Sequence, residues 1–149
     1  MIKIEQIKQL RSETGVSISE CKKALVEAKG DIEKAKEILR KRGQDFAQTK
    51  AERETGEGIV ETYIHPNGKI GVMVELHCET DFVASCEEFR KLAHELCLQI
   101  ATMNPTSESS LLAQLWIRDE SKAIKDLIDE YIAKIGENII IKRFVRYEM

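Results

Sequence analysis

Glu75, Glu79 and Asp81 place three carboxylates in the stretch ELHCETDFVASCEEF (residues 75–89), interleaved with His77, Cys78 and Cys86. Paired acids can work as general acid and base, and in a strand Glu75 and Glu79 would share a face. Nothing in the surrounding sequence would shift their pKa values, so a solvated strand edge is the simpler expectation. His77, Cys78, Cys86 and His94 are the residues from which a small metal-dependent site would have to be built. The four cysteines, Cys21, Cys78, Cys86 and Cys97, contain no CxxC pair, however, and His94-x-x-Cys97 has no second pair at finger spacing. They are expected as free thiols packed like small apolar groups. No Gly-rich phosphate loop, nucleophile elbow or HExxH is present. The expectation is therefore no catalytic residue, no metal and no cofactor.

The more unusual feature of this stretch is Thr80-Asp81-Phe82-Val83. An alternating run ends at Cys78, and a helix is expected from Ser85, so a short connection carries two large apolar residues. Thr80 or Asp81 can satisfy backbone N–H groups as the chain leaves the strand. Phe82 and Val83 then have two possible uses. They can tuck under the following helix as core, or Phe82 can project as a rigid aromatic anchor for another protein, with Asp81 fixing orientation through a charge-assisted hydrogen bond.

The elements that must hold this connection are legible from periodicity. Residues 1–43 read as three short amphipathic helices: the first buries Ile4, Ile7 and Leu10 and stops at Thr14-Gly15. Ser17 and Glu20 form a capping box for the second, which buries Ala24, Leu25 and Ala28. Asp31 caps the third, with Ile32, Ala35, Ile38 and Leu39 inward and Gly43 as its stop. Residues 44–56 are polar and read as a linker, partly helical. Residues 57–149 read as an α+β unit. Two β-rich runs flank a hairpin signal at His65-Pro66-Asn67-Gly68. A helix over Ser85–Met103, capped by Ser85 and Glu88, buries Phe89, Leu92, Ala93, Leu96 and Ile100. Asn104-Pro105 ends it. A Ser-rich loop, a helix over about Ser121–Ile135 and a final basic strand complete about three antiparallel strands with helices on one face.

Composition excludes other classes. The 149 residues are 42% hydrophobic and 33% charged, with a formal charge of −3, which argues against a general nucleic-acid binder. No apolar run approaches the roughly 18 residues of a membrane span, and MIKIEQIKQLR lacks a signal-peptide core, so a cytoplasmic protein is expected. Charge is segregated. Residues 1–43 carry 11 Lys and Arg against 7 Asp and Glu, a net of +4, and the remainder carries −7. Such asymmetry suggests an oriented interaction.

Three separated motifs give a specific resemblance. LRSETGVSISECKKALVEAKGDIEKAKEILRKRG, with Thr14-Gly15, Cys21-Lys22-Lys23-Ala24-Leu25 and Gly30-Asp31, resembles the N-terminal helical domain of the elongation factor Ts family. TDFVA (Thr80–Ala84) resembles that family's signature loop, and KIGENI (Lys134–Ile139) its closing motif. The likeness covers roughly residues 1–104 and 111–149. It implies an α+β fold: an N-terminal three-helix, ubiquitin-associated-like bundle, followed by a small antiparallel sheet packed against helices. It also implies guanine-nucleotide exchange on elongation factor Tu. In the family the helical domain docks on the partner's GTPase domain, here through Val16, Ile18, Lys22 and Lys23. The loop aromatic, here Phe82, enters beside the partner's Mg²⁺ and phosphate site with Asp81 in contact. After ATMNP the family usually runs through a long helical segment before LLxQ. Here TSESS passes almost directly to Leu111-Leu112-Ala113-Gln114. Single-core relatives resembling this chain pair two copies, so a homodimer is expected, with the edge of the final strand available.

Two other readings stand beside this one. A three-helix unit could serve as a binding adaptor for ubiquitin-like proteins or nascent chains, and the +4 unit could touch RNA, although basic-aromatic interleaving is missing. The exchange factor requires Phe82 exposed, the adaptor an apolar groove on the helical unit, and an enzyme convergent side chains in a pocket.

Overall fold

A computed structural model describes residues 1–149. Three helices open the chain: α1 (Ile4–Thr14), α2 (Ile18–Glu27) and α3 (Ile32–Lys50). Their starts follow the caps. Ser17 Oγ accepts from the Glu20 amide at 3.3 Å and Asp31 Oδ1 from the Lys34 amide at 3.1 Å, each satisfying one donor that the first helical turn leaves free. Gly15 closes α1 at φ 69°, the left-handed conformation that an L side chain adopts at a cost. Leu10, Cys21, Ala24, Leu25, Ala28, Ala35 and Leu39 form a small closed core. Ile4, expected inside, is 66% exposed.

Gly43 does not stop α3. The helix continues through the first half of the expected linker to Lys50, and only residues 51–56 connect it onward. Tertiary packing overrides the glycine here. Ala47 is buried in the larger core of the molecule, and Gln44 Nε2 donates to Asp126 Oδ1 at 3.0 Å.

The rest of the chain builds around β1 (Glu57–Ile64), β2 (Ile70–Cys78) and β5 (Ile140–Glu148), an antiparallel sheet in the order β1-β2-β5. Glu57 faces Cys78 and Ile64 faces Gly71 across the hairpin, whose turn carries Asn67 and Gly68. Val72, Val74, Leu76 and Cys78 point to one face, where α5 (Glu87–Met103) covers them with Phe89, Leu92, Ala93, Leu96 and Ile100. This is the expected α+β arrangement. The opposite face of β2, with Met73, Glu75 and His77, carries no helix, and both β1 and β5 are edge strands.

Several short elements depart from expectation. A four-residue helix, α4 (Asp81–Ala84), precedes α5, so Ser85 closes α4 and Cys86 occupies the N-cap of α5 without a side-chain bond. The Ser-rich segment forms α6 (Glu108–Ala113), capped by Ser107 and pinned by buried Leu111. A small hairpin of β3 (Leu115–Trp116) and β4 (Asp119–Ala123) follows, and α7 therefore starts at Ile124 and runs to Ile135. The α7 helix packs on α3, and this contact joins the N-terminal bundle to the sheet unit.

Candidate partner-binding site

The corner between β2 and α4 is built from backbone satisfaction outward. Thr80 is extended, and its Oγ1 accepts from the Val83 amide at 3.3 Å, capping a helix of one turn. The Ala84 amide reaches the Thr80 carbonyl at 3.2 Å and the Ser85 amide the Asp81 carbonyl at 3.1 Å. The Ser85 and Cys86 side chains donate to the Asp81 and Phe82 carbonyls, so the last turn is satisfied locally. Successive residues of a helix point about 100° apart, and Val83 and Ala84 take the inward direction. Asp81 and Phe82 therefore face out, with Phe82 78% exposed.

The two uses foreseen for the aromatic–aliphatic pair are thus divided between its members. Val83 is core, and Phe82 projects. Thr80, Asp81 and Phe82 present themselves to solvent, whereas Val83 holds them from beneath. Cys78 underlies the same corner: its thiol donates to the Thr80 carbonyl at 3.2 Å. Burial, with the Glu137 charge as a second cause, pushes that thiol's pKa up to about 11, so it remains a donor at neutral pH.

Sequence reasoning missed the far side of the corner. Glu137, in the turn between α7 and β5, directs its carboxylate at Glu79 and Thr80. Asn138 beside it is almost fully buried, and its amide donates to Glu79 Oε2 at 2.6 Å. The KIGENI segment was legible as a motif, but these contacts bridge 57 to 59 residues and leave no local signal.

On the helical unit, Ile18 and Lys22 lie one turn apart on an outer face of α2, followed by Val26 on the next turn. Ile18 is 55% and Val26 58% exposed. Val16 is half-buried against the small core. Lys23 is exposed and pairs with Glu20 at 2.9 Å, which holds the Glu20 carboxyl below its ordinary pKa. Arg42 reaches Glu20 and Glu27 from α3, fixing the back of α2.

The residues considered for metal chemistry are dispersed. His77 lies on the open sheet face against Glu75, while Cys78, the next residue, points to the core. Cys86 stands at the N-cap position of α5 without a capping bond, and His94 is exposed further along that helix, edge-on to Tyr63 of β1. No group of three metal-ligating side chains forms. Arg143, 2.8 Å from Glu75, holds that carboxyl below its ordinary pKa, with His77 a smaller contributor. No helix is long and apolar enough to cross a membrane.

A family model described as Elongation factor TS matches residues 79–149. Elongation factor Ts of Caldanaerobacter subterraneus subsp. tengcongensis is 42% identical, the alignment covering 99% of this chain and 96% of that protein. The elongation factors Ts of Thermotoga neapolitana and Thermosipho melanesiensis are 41% and 42% identical, with 99% of this chain and 97% and 98% of theirs aligned. The first alignment runs over 193 positions against a chain of 149 residues, so part of that relative has no counterpart here.

Proposed function

The chain belongs to the elongation factor Ts family of translation elongation factors, and from that premise we propose that it promotes GDP release from elongation factor Tu. The helical unit docks on the partner's GTPase domain through Val16, Ile18, Lys22 and Lys23. The Thr80–Val83 corner acts at the nucleotide, with Phe82 entering beside the Mg²⁺ and phosphate site and Asp81 fixing its approach. The protein forms no covalent bond of its own, acts in the cytoplasm, and requires neither cofactor nor direct nucleic-acid contact. The observation that carries this reading is the exposure of Phe82 on a corner anchored by buried Val83 and Ala84.

Magnitudes support the division of labour. If this protein and GDP each weaken the other's binding to the GTPase, linkage makes the two factors equal. Tenfold weakening needs about 1.4 kcal/mol of coupling. Burying one Phe side chain in a new pocket is worth roughly 1.5–3 kcal/mol, enough to trigger release. It is not enough to supply an interface of ordinary size, about 800 Å² per partner. The exposed apolar positions of α2 belong to that larger surface. The exchange rate changes, while the balance of GDP and GTP forms stays set by their concentrations.

Two copies of the chain are proposed to associate. Strand β5 leaves one edge unpaired, and the adjoining open sheet face exposes Val60, Ile64, Met73, Val145 and Tyr147. Unpaired edges and contiguous apolar patches recruit partners. With Glu75 already neutralised by Arg143, a second copy meets no unpaired carboxylate at the centre of that face. Equilibrium sedimentation should give a dimer, and Val145→Lys should give a monomer.

The exchange reading is tested by following release of fluorescent GDP from elongation factor Tu. Wild-type protein is expected to accelerate release, and Phe82→Ala to lose at least tenfold of that acceleration while staying folded. Equal acceleration by the variant overturns the role of the loop.

A further inference from the structure

A four-residue helix cannot hold its own orientation, because a single turn fixes several dihedral angles for one or two hydrogen bonds. Val83 and Ala84 anchor α4 from below, but its N-terminal end has to be fixed from elsewhere if Phe82 is to be held at one angle. We propose that Glu137 is the positioning residue that fixes it, which deepens the exchange reading and rests on it. Oε1 of Glu137 accepts from the Glu79 and Thr80 amides, each at 3.0 Å, and Oε2 accepts from the Thr80 hydroxyl at 2.8 Å.

The hydroxyl is the central part of this device. A threonine hydroxyl has one proton and two lone pairs. With the proton committed to Glu137, a lone pair is left facing the Val83 amide at 3.3 Å. The chain of bonds runs from carboxylate to hydroxyl to the first turn of α4, and its next residue outward is Phe82. Bonds to an ionised acceptor are about twice as strong as neutral ones, and connected bonds polarise one another. Glu137 makes no salt bridge, so its carboxylate is committed to the corner rather than to a counter-ion.

The turn that carries Glu137 is itself braced. Gly136 ends α7 at φ 84°, turning the chain sharply enough for the next two residues to reach back to β2. Asn138 donates its amide to Glu79 Oε2 at 2.6 Å and its side chain to the Ala51 and Arg53 carbonyls at 3.3 and 2.9 Å. Arg53 closes the circuit onto Glu79 Oε1 at 2.7 Å. Three segments, α3 to β1, β2 to α4 and α7 to β5, are thus laced together at the base of the corner that carries Phe82. A wedge that displaces groups in a partner needs a stiff mount, and this circuit provides it.

The substitutions separate positioning from folding. Glu137→Gln retains an oxygen for the two amides and loses the acceptor for the Thr80 hydroxyl, whereas Glu137→Ala loses all three bonds. Maximal GDP release from elongation factor Tu at saturating protein should fall about tenfold for Glu137→Ala and about threefold for Glu137→Gln. The half-saturating concentration should stay within about twofold of wild type, because docking through α2 is untouched. In a Phe82→Ala background Glu137→Ala should cause no further loss, and in a Thr80→Val background Glu137→Gln should be silent. Amide hydrogen exchange of residues 80–84 should quicken in Glu137→Ala while residues 72–76 of β2 keep their protection, which excludes general unfolding.

A Glu137→Ala protein with wild-type release, or with the same fractional loss whether or not Phe82 is present, overturns the proposal and leaves the exchange reading standing. Unchanged amide exchange at residues 80–84 also overturns it. Failure of the wild-type protein to accelerate release is the distinct result that removes the exchange reading, and the positioning role with it.

Discussion

Phe82 and Phe89 are the same side chain on adjoining helices, and the protein uses them in opposite ways. Phe89 lies on α5, a helix of 17 residues with one face against the sheet, and is fully buried. Phe82 lies on α4, a helix of four residues, and is 78% exposed. Burial of a Phe stabilises a fold by roughly 1.5–3 kcal/mol. A chain that leaves such a ring in water forgoes that gain at home and keeps it available for a partner. The length of the supporting helix decides which use is possible. A long amphipathic helix directs each apolar residue into the core by its period, whereas a single turn has one inward side, already filled by Val83 and Ala84.

The largest effect should come from the buried member of the pair. Phe89→Ala leaves a cavity in the larger core and should cost about 3–5 kcal/mol in urea unfolding. Phe82→Ala should change stability by less than about 0.5 kcal/mol and yet remove most of the accelerated GDP release. If Phe82→Ala destabilised the fold as much as Phe89→Ala, the contrast between the two rings would be wrong.

The helical unit offers an intermediate case. Ile18 is 55% exposed on α2, in a unit whose own core holds only seven buried residues. Ile18→Asp removes the proposed apolar docking contact without opening that core. The half-saturating concentration for GDP release should rise roughly tenfold, equivalent to about 1.4 kcal/mol, with the maximal rate nearly unchanged. Phe82→Ala should do the reverse and lower the maximal rate. Stopped-flow titrations of the two variants against one preparation of elongation factor Tu distinguish docking from displacement.

What was legible in the sequence follows the same division between long and short elements. The buried stripe of α5, the caps Ser17 and Asp31 and the turn at Asn67-Gly68 are local patterns, and each appears in place. The extension of α3 through Gly43 was not legible, because the support comes from α7, far along the chain. The α4 and α6 helices and the two-residue strand β3 are too short to carry a period, so Ser85 reads as a cap in the sequence although Thr80 caps α4 and Cys86 stands at the N-terminus of α5 without a capping bond. For the site, Thr80, Asp81 and Phe82 were singled out from an apolar pair in a short connection and from a family resemblance, whereas Glu137 and Asn138 act across more than fifty residues. Binary pattern reveals what faces inward. It is silent on which polar group braces a corner.

The cysteines give the smallest effect and extend the comparison from rings to thiols. Cys86 stands partly exposed at the start of α5, while Cys78 and Cys97 are buried. Burial pushes the Cys78 thiol up to about 11, helped by the nearby Glu137 charge, and the Cys97 thiol up to about 12, helped by Glu61. The thiolate is the reactive form, so at pH 8 a disulfide reagent should label Cys86 quickly, and Cys78 and Cys97 only after denaturant is added. The same shifts fix the sign of the alkaline limb. An unfolded thiol releases its proton near pH 8.5, so above that value the unfolded chain binds fewer protons than the folded one. Stability fully present below about pH 8.5 is therefore lost as the pH climbs toward the folded values. Cys97→Ala should flatten that decline in urea titrations between pH 8 and 10. Labelling of Cys97 as fast as that of Cys86 in the native protein would mean that the core shields its thiol no better than the corner before α5 does, and the contrast drawn from the two phenylalanines would not extend to the cysteines.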